Sequence, residues 1–141
     1  MKVLFLDIDG VLNSQNWFGF MKYCEDNCTV EKILNYVDTN DDEVKYKLHM
    51  LDDRAIANLN RIIEATGCKV VLSSSWRSWS QKENDKLNAQ LKRKGLLKEF
   101  ISVTPRLSSG IRGEEIKKWL EDHCGEYSID SYCILDDDSD M

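Results

Sequence analysis

Residues 2–10 read KVLFLDIDG, and this stretch decides the fold. After Lys2 comes an unbroken apolar run, the mark of a strand covered on both faces and therefore of a parallel sheet. Two carboxylates follow, Asp7 and Asp9, with Ile8 between them and Gly10 behind. Acids this close repel, and in a partly buried place they coexist only with a cation or with protons.

Outward from this strand the chain alternates. Residues 52–66 carry Ile56, Leu59 and Ile63 at helical spacing, with Asp52 or Asp53 as cap and Gly67 as stop. CKVVLS (68–73) reads as a second buried strand. The run 80–95 is a helix with Leu87 and Leu91 inward; Ser80 and Glu83 form a capping box and Gly95 ends it. FISVTP (100–105) is a third strand, 113–123 a helix with Ile116, Trp119 and Leu120 facing in, and YCIL (132–135) a fourth strand. Strand–helix alternation predicts an α/β fold, a three-layer, Rossmann-like, doubly wound parallel sheet. Residues 14–51 break the pattern, aromatic first and acidic afterwards. They read as a small, partly helical flap or cap inserted after the first strand and set over the site.

Ligands in such sheets bind at the carboxyl ends of the strands. Strand one brings Asp7 and Asp9 there; strand two brings Ser73, Ser74, Ser75 and then Arg77; strand four brings Asp136, Asp137 and Asp138. Converging carboxylates suit a hard divalent cation, and Mg²⁺ takes one or two of them while accepting a phosphate oxygen. That combination predicts phosphoryl transfer. A carboxylate can be the nucleophile, forming an aspartyl-phosphate. If the chain leaves the strand at Ile8, the second acid can act as general acid and base, with Gly10 giving the turn its freedom. Ser74 and nearby N–H groups can bind phosphoryl oxygens, and Arg112 or Lys117 can neutralise transition-state charge.

Blander readings stand beside these. A DxDG run also opens calcium loops, but no further loop ligands follow here. Acids after a strand are often turn formers. Arg112 and Lys117 can be solvated helix residues, and Arg77 divides evenly between a phosphate contact and a surface salt bridge. Two acid clusters after two buried strands, with a serine run after a third, outweigh the turn reading.

Bulk properties agree. The 141 residues suit one domain, with 42% hydrophobic and 31% charged residues and a single proline, Pro105. The formal net charge of −6 argues against a strongly electrostatic nucleic-acid binder. LKRKGLLK (91–98) reads as a solvated helix end. The five scattered cysteines read as reduced thiols. No apolar run approaches a membrane span and no signal-peptide layout opens the chain, so the expected location is the cytoplasm.

These residues resemble the haloacid dehalogenase-like (HAD) superfamily of phosphohydrolases. FLDIDGVLN is similar to its first motif, VVLSSSW to its second, and ILDDDSD to its fourth, in which Asp136–Asp137 fit the paired form and Asp140 the spaced form. RGEEIKKWL offers Arg112, then Lys117, for the third-motif cation. More narrowly, LSSSWR, RGEEIKKWL and ILDDDSDM resemble the small HAD domains associated with RNA-repair proteins of the Swiss Army Knife type. The resemblance implies Asp7 as nucleophile, Asp9 as general acid/base and Ser74 as phosphate ligand, with Ser73 and Ser75 as near alternatives and Arg77 and Gly10 nearby. It implies Mg²⁺ held by Asp7, the main-chain carbonyl of Asp9, and Asp136 or Asp137. Such domains usually add a fifth strand and a final helix after the fourth motif, and here the acids stand a few residues from Met141. The expected activity is a Mg²⁺-dependent phosphatase acting on a phosphomonoester, with a phosphorylated small molecule, nucleotide or nucleic-acid end as partner. Two competing readings are a phospho-acceptor module of the receiver kind, which needs no acid at position 9, and a catalytically silent interaction domain. Trp17, Phe18, Trp76 and Trp79 either stack a base at the rim or pack the insertion against the core.

Overall fold

The computed structural model describes residues 1–27 and 50–138. Strand β1 (Lys2–Leu6) lies between β2 (Lys69–Leu72) and β4 (Ser131–Leu135), and β3 (Ser102–Val103) flanks β2. All three pairings are parallel. The helices are α1 (Gln15–Asn27), α2 (Asp53–Thr66), α3 (Gln81–Arg93) and α4 (Arg112–His123).

Successive strand residues face opposite sides, so each apolar run supplies two cores. Leu4, Leu6, Val70 and Leu72 meet Ile56, Leu59 and Ile63 of α2 and Leu87 and Leu91 of α3. Val3, Phe5 and Val71 meet Ile116 and Trp119 of α4. The sheet is thus covered on both faces at β1 and β2, as their unalternating runs require, whereas Ser131, Tyr132 and Cys133 of β4 are exposed, so the second acid cluster follows an edge strand and not the buried one expected. Phe5 and Trp119 touch edge to face with centroids 5.4 Å apart, which fixes α4 across the central strand.

Order reverses at β1. The chain steps outward to β2 and β3, then returns by α4 to place β4 on the other side of β1. The crevice between β1 and β4 is therefore the switch point at which such sheets bind ligands.

Local signals were kept in part. Asp52 caps α2 by accepting from the Arg54 N–H at 2.8 Å, and Gly67 closes it in the left-handed region at φ 67°. The capping box expected at Ser80 is not formed, because the Ser80 side chain makes no cap hydrogen bond. Asn84 holds that corner instead, accepting from the Ser78 N–H and donating to the Ser78 carbonyl. The third strand has two residues rather than the run 100–105, although Ile101 and Thr104 N–H groups bond Val70 and Leu72 carbonyls on either side of it. The basic stretch is ion-paired in places: Lys94 meets Asp53 at 2.8 Å and Lys92 meets Glu99 at 3.3 Å.

Of the expected insertion (14–51), residues 14–27 with α1 and residues 50–51 are described, Leu51 being buried in the core, and residues 28–49 lie outside the described residues. Trp17 and Phe20 lie 5.7 Å apart on α1, and Lys94 stands over the Trp17 ring. Among the described residues no helix is long and apolar enough to cross a membrane.

Candidate active site

The last rungs of the sheet set the first acid. The Asp7 N–H bonds the Leu135 carbonyl (2.9 Å) and the Ser73 N–H bonds the Leu6 carbonyl (2.8 Å), so three strands end together. Asp7 is buried there, and one of its oxygens accepts from the Ile8 N–H at 2.7 Å. The chain then turns sharply: the N–H groups of Val11, Leu12 and Asn13 all point at the Ile8 carbonyl. Gly10 sits in this turn at φ 72°, a conformation that disfavours a side chain. Space also demands glycine, since a Cβ here would lie 2.0 Å from the Asp137 carboxyl carbon.

The turn separates the two acids. Asp7, Asp136 and Asp137 each offer a carboxylate oxygen within 4.8 Å of the others. Asp9 points elsewhere and is bound by hydrogen-bond donors: Asn13 Nδ2 at 3.0 Å, the Trp76 indole N–H at 2.9 Å and the Ser75 hydroxyl at 3.1 Å. Trp76 thus does a third thing besides stacking or packing: it orients an acid.

The carboxylate group is under-satisfied. Asp136 accepts from the Asp138 N–H at 2.9 Å through one oxygen, but its Oδ2 is buried with no hydrogen-bond donor among the described residues. Burial pushes the Asp136 carboxyl above its ordinary value, and Asp7 and Asp137 push the same way against the Asp138 N–H and Arg112. A bare buried oxygen beside two further carboxylates fits a hard cation, which these three acids could hold. Asp140, the alternative second acid, lies outside the described residues.

Arg112 opens α4 and reaches into this group. Its Nε is 3.6 Å from Asp136 Oδ2 and its Nη2 is 4.0 Å from Asp7 Oδ2. Lys117 is not brought there; it stands on the exposed side of α4 with Glu121 at 4.0 Å.

The serine turn lies alongside. Ser73 and Ser74 are buried, and the Ser74 hydroxyl accepts from the Trp76 N–H at 3.3 Å. Arg77 differs from both sequence alternatives. Its guanidinium is neither at the surface nor aimed at the carboxylates; it is buried against Glu115 and donates to the Ser74 carbonyl at 2.6 Å. Arg106, which the sequence did not single out, braces the same turn by donating to the Ser75 and Arg77 carbonyls at 2.8 and 2.7 Å. Trp79, just beyond the turn, is 80% exposed. Glu115 was also missed. Its signal was its phase: it lies four residues before Trp119 on the inner stripe of α4, where an acid needs a partner.

With this geometry in view, the comparisons are specific. The family model described as "HAD domain in Swiss Army Knife RNA repair proteins" matches residues 3–141. No curated protein and no solved structure matches the chain.

Proposed function

We propose that this chain, which belongs to the family of HAD domains in Swiss Army Knife RNA repair proteins, is a Mg²⁺-dependent phosphatase that hydrolyses phosphomonoesters at nucleotide or nucleic-acid ends. One observation carries the reading: three carboxylates from the ends of two neighbouring strands converge within 4.8 Å, with Arg112 beside two of them. The family's association with RNA repair supports the choice of substrate class.

Asp7, Asp136 and Asp137 would hold the ion with the main-chain carbonyl of Asp9, and bound Mg²⁺ would screen their charges and polarise a phosphoryl oxygen. The chain's own residues do the rest. A carboxylate oxygen of Asp7 attacks phosphorus, forming an O–P bond as the ester P–O bond breaks. Asp9, as the acid, gives its proton to the departing oxygen. Asp9, now a carboxylate, takes a proton from water; the water oxygen attacks phosphorus, the Asp7 O–P bond breaks, and inorganic phosphate leaves. Arg112 balances charge on the phosphoryl oxygens, and the Ser73–Ser75 turn supplies donors to them.

The test is turnover of p-nitrophenyl phosphate with and without Mg²⁺, followed by a panel of 3′- and 5′-phosphorylated oligonucleotides, mononucleotides and sugar phosphates. Wild type should turn over only with Mg²⁺, and Asp7→Asn should lose at least about a thousandfold in kcat. Full activity in a folded Asp7→Asn protein would refute the mechanism.

A further inference from the structure

Arg77 and Glu115 form an ion pair whose side chains are each 5% exposed. Withdrawing both charges from water costs roughly what their attraction returns, so such a pair is a weak source of stability. Burial lowers the Arg77 guanidinium from its ordinary value, Glu115 opposes that, and Arg112 and Arg106 add to it. The neighbourhood therefore holds three crowded arginines and needs an anion among them.

The partners of the pair show where that anion acts. Glu115 Oε1 accepts from the Leu107 N–H at 3.1 Å, and Arg77 reaches the Pro105 carbonyl at 3.4 Å, so the pair grips the loop between β3 and α4. Arg77 also grips the serine turn through the Ser74 carbonyl. Glu115 Oε2 receives Arg77 and lies 4.0 Å from Arg112 Nη1, one helical turn away. The Arg112 guanidinium is thus flanked by Glu115 on one side and by Asp7 and Asp136 on the other. Free to choose, an arginine beside two crowded carboxylates would collapse onto them as their counter-ion. An opposing carboxylate keeps it between the two.

We propose that Glu115, locked by Arg77, is a positioning residue that holds the Arg112 guanidinium in place beside Asp7 and ties the Ser73–Ser75 turn to the start of α4. The pair reaches a substrate only through Arg112 and the serine turn. The inference rests on the phosphatase reading for its catalytic consequence, but the tether on Arg112 is a property of the chain with or without turnover.

Glu115→Gln keeps the shape and the acceptor for Leu107 while removing the charge. Its kcat for p-nitrophenyl phosphate should fall about 10- to 100-fold with a much smaller change in KM, since the loss is in alignment at the transition state. In metal-free protein, the Arg112 Nε–H resonance, assigned with Arg112→Lys, should move relative to wild type. The paired variant Arg77→Met/Glu115→Leu replaces the charges by apolar bulk and should melt near wild type, yet keep the kcat deficit and the moved resonance. Should Glu115→Gln fail to fold, the paired variant decides alone. An unmoved Arg112 signal, or a paired variant that melts and turns over like wild type, overturns the proposal. If wild type shows no Mg²⁺-dependent turnover, the phosphatase reading fails, and the Arg112 resonance still decides the tether: moved supports it, unmoved overturns it.

Discussion

Asp9 and Asp136 end at the same edge of one sheet and live in opposite surroundings. Asp9 accepts three side-chain hydrogen bonds, from Asn13, Ser75 and Trp76. Asp136 has a buried oxygen with no donor among the described residues, and its nearby charges there are Asp7, Asp137 and Arg112. A carboxylate surrounded by donors is fixed in direction, which suits proton transfer at a defined atom. A carboxylate among other carboxylates, with Arg112 and the Asp138 N–H as its stabilising neighbours, favours a further cation or a proton. The difference sets apart acids that look equivalent in the sequence, and the turn at Ile8–Gly10 sends Asp9 away from Asp7.

The sharpest way to break this contrast is Asp136→Asn. Turnover should fall about a thousandfold, the several kcal/mol that charge stabilisation at a metal supplies. The same change should help the metal-free fold. A carboxyl whose folded value is raised contributes stability that is fully present below its ordinary value and is lost as pH rises through the raised one. Metal-free wild type should therefore lose melting temperature as pH climbs from about 4, and Asp136→Asn should lack that part of the decline. Added Mg²⁺ should raise the wild-type melting temperature and leave the variant unmoved. Asp9→Asn should behave the other way round. Its kcat should drop by about a hundredfold or more, while Mg²⁺ still raises its melting temperature, because Asp9 stands outside the three-carboxylate group. Gly10→Ala tests the hinge between the two regions: a Cβ would strike Asp137 and strain the backbone, so half-saturation by Mg²⁺ should need about tenfold more ion. The mildest is Trp76→Phe, which removes one of three hydrogen bonds on Asp9; kcat should fall roughly fivefold, the worth of one ordinary hydrogen bond.

The architecture was legible because buried parallel strands write themselves as unalternating apolar runs. KVLFL and KVVL needed no context to be placed, and the acids after β1 and β4 followed from the rule that ligands gather at carboxyl ends. What stayed illegible depends on side-chain direction. Nothing in DIDG shows that Asp7 joins Asp136 while Asp9 joins Trp76 and Ser75. Arg112 and Lys117 were interchangeable as letters, and helix phase separated them: the first enters the carboxylate group and the second faces water. Ser80 with Glu83 has the letters of a capping box, but Asn84 took the corner. Glu115 hid among the charged residues of GEEIKK, and only its alignment with Trp119 marks it as buried.

The order of the sheet has a kinetic consequence. Each residue of β1 pairs with a β4 partner 129 positions later, Lys2 with Ser131 through Leu6 with Leu135. Pairings of such sequence separation form late, because the loop they close costs entropy before the contact rewards it. On the ribosome, β1, β2 and β3 can assemble with α2 and α3 while Asp136 is still within the tunnel or not yet made. Until β4 arrives, Asp7 ends a strand beside no other acid of the group, and Arg112 lacks Asp136. A nascent chain would thus carry three of the four strands and no three-carboxylate group, and that group would be completed in a single late docking event.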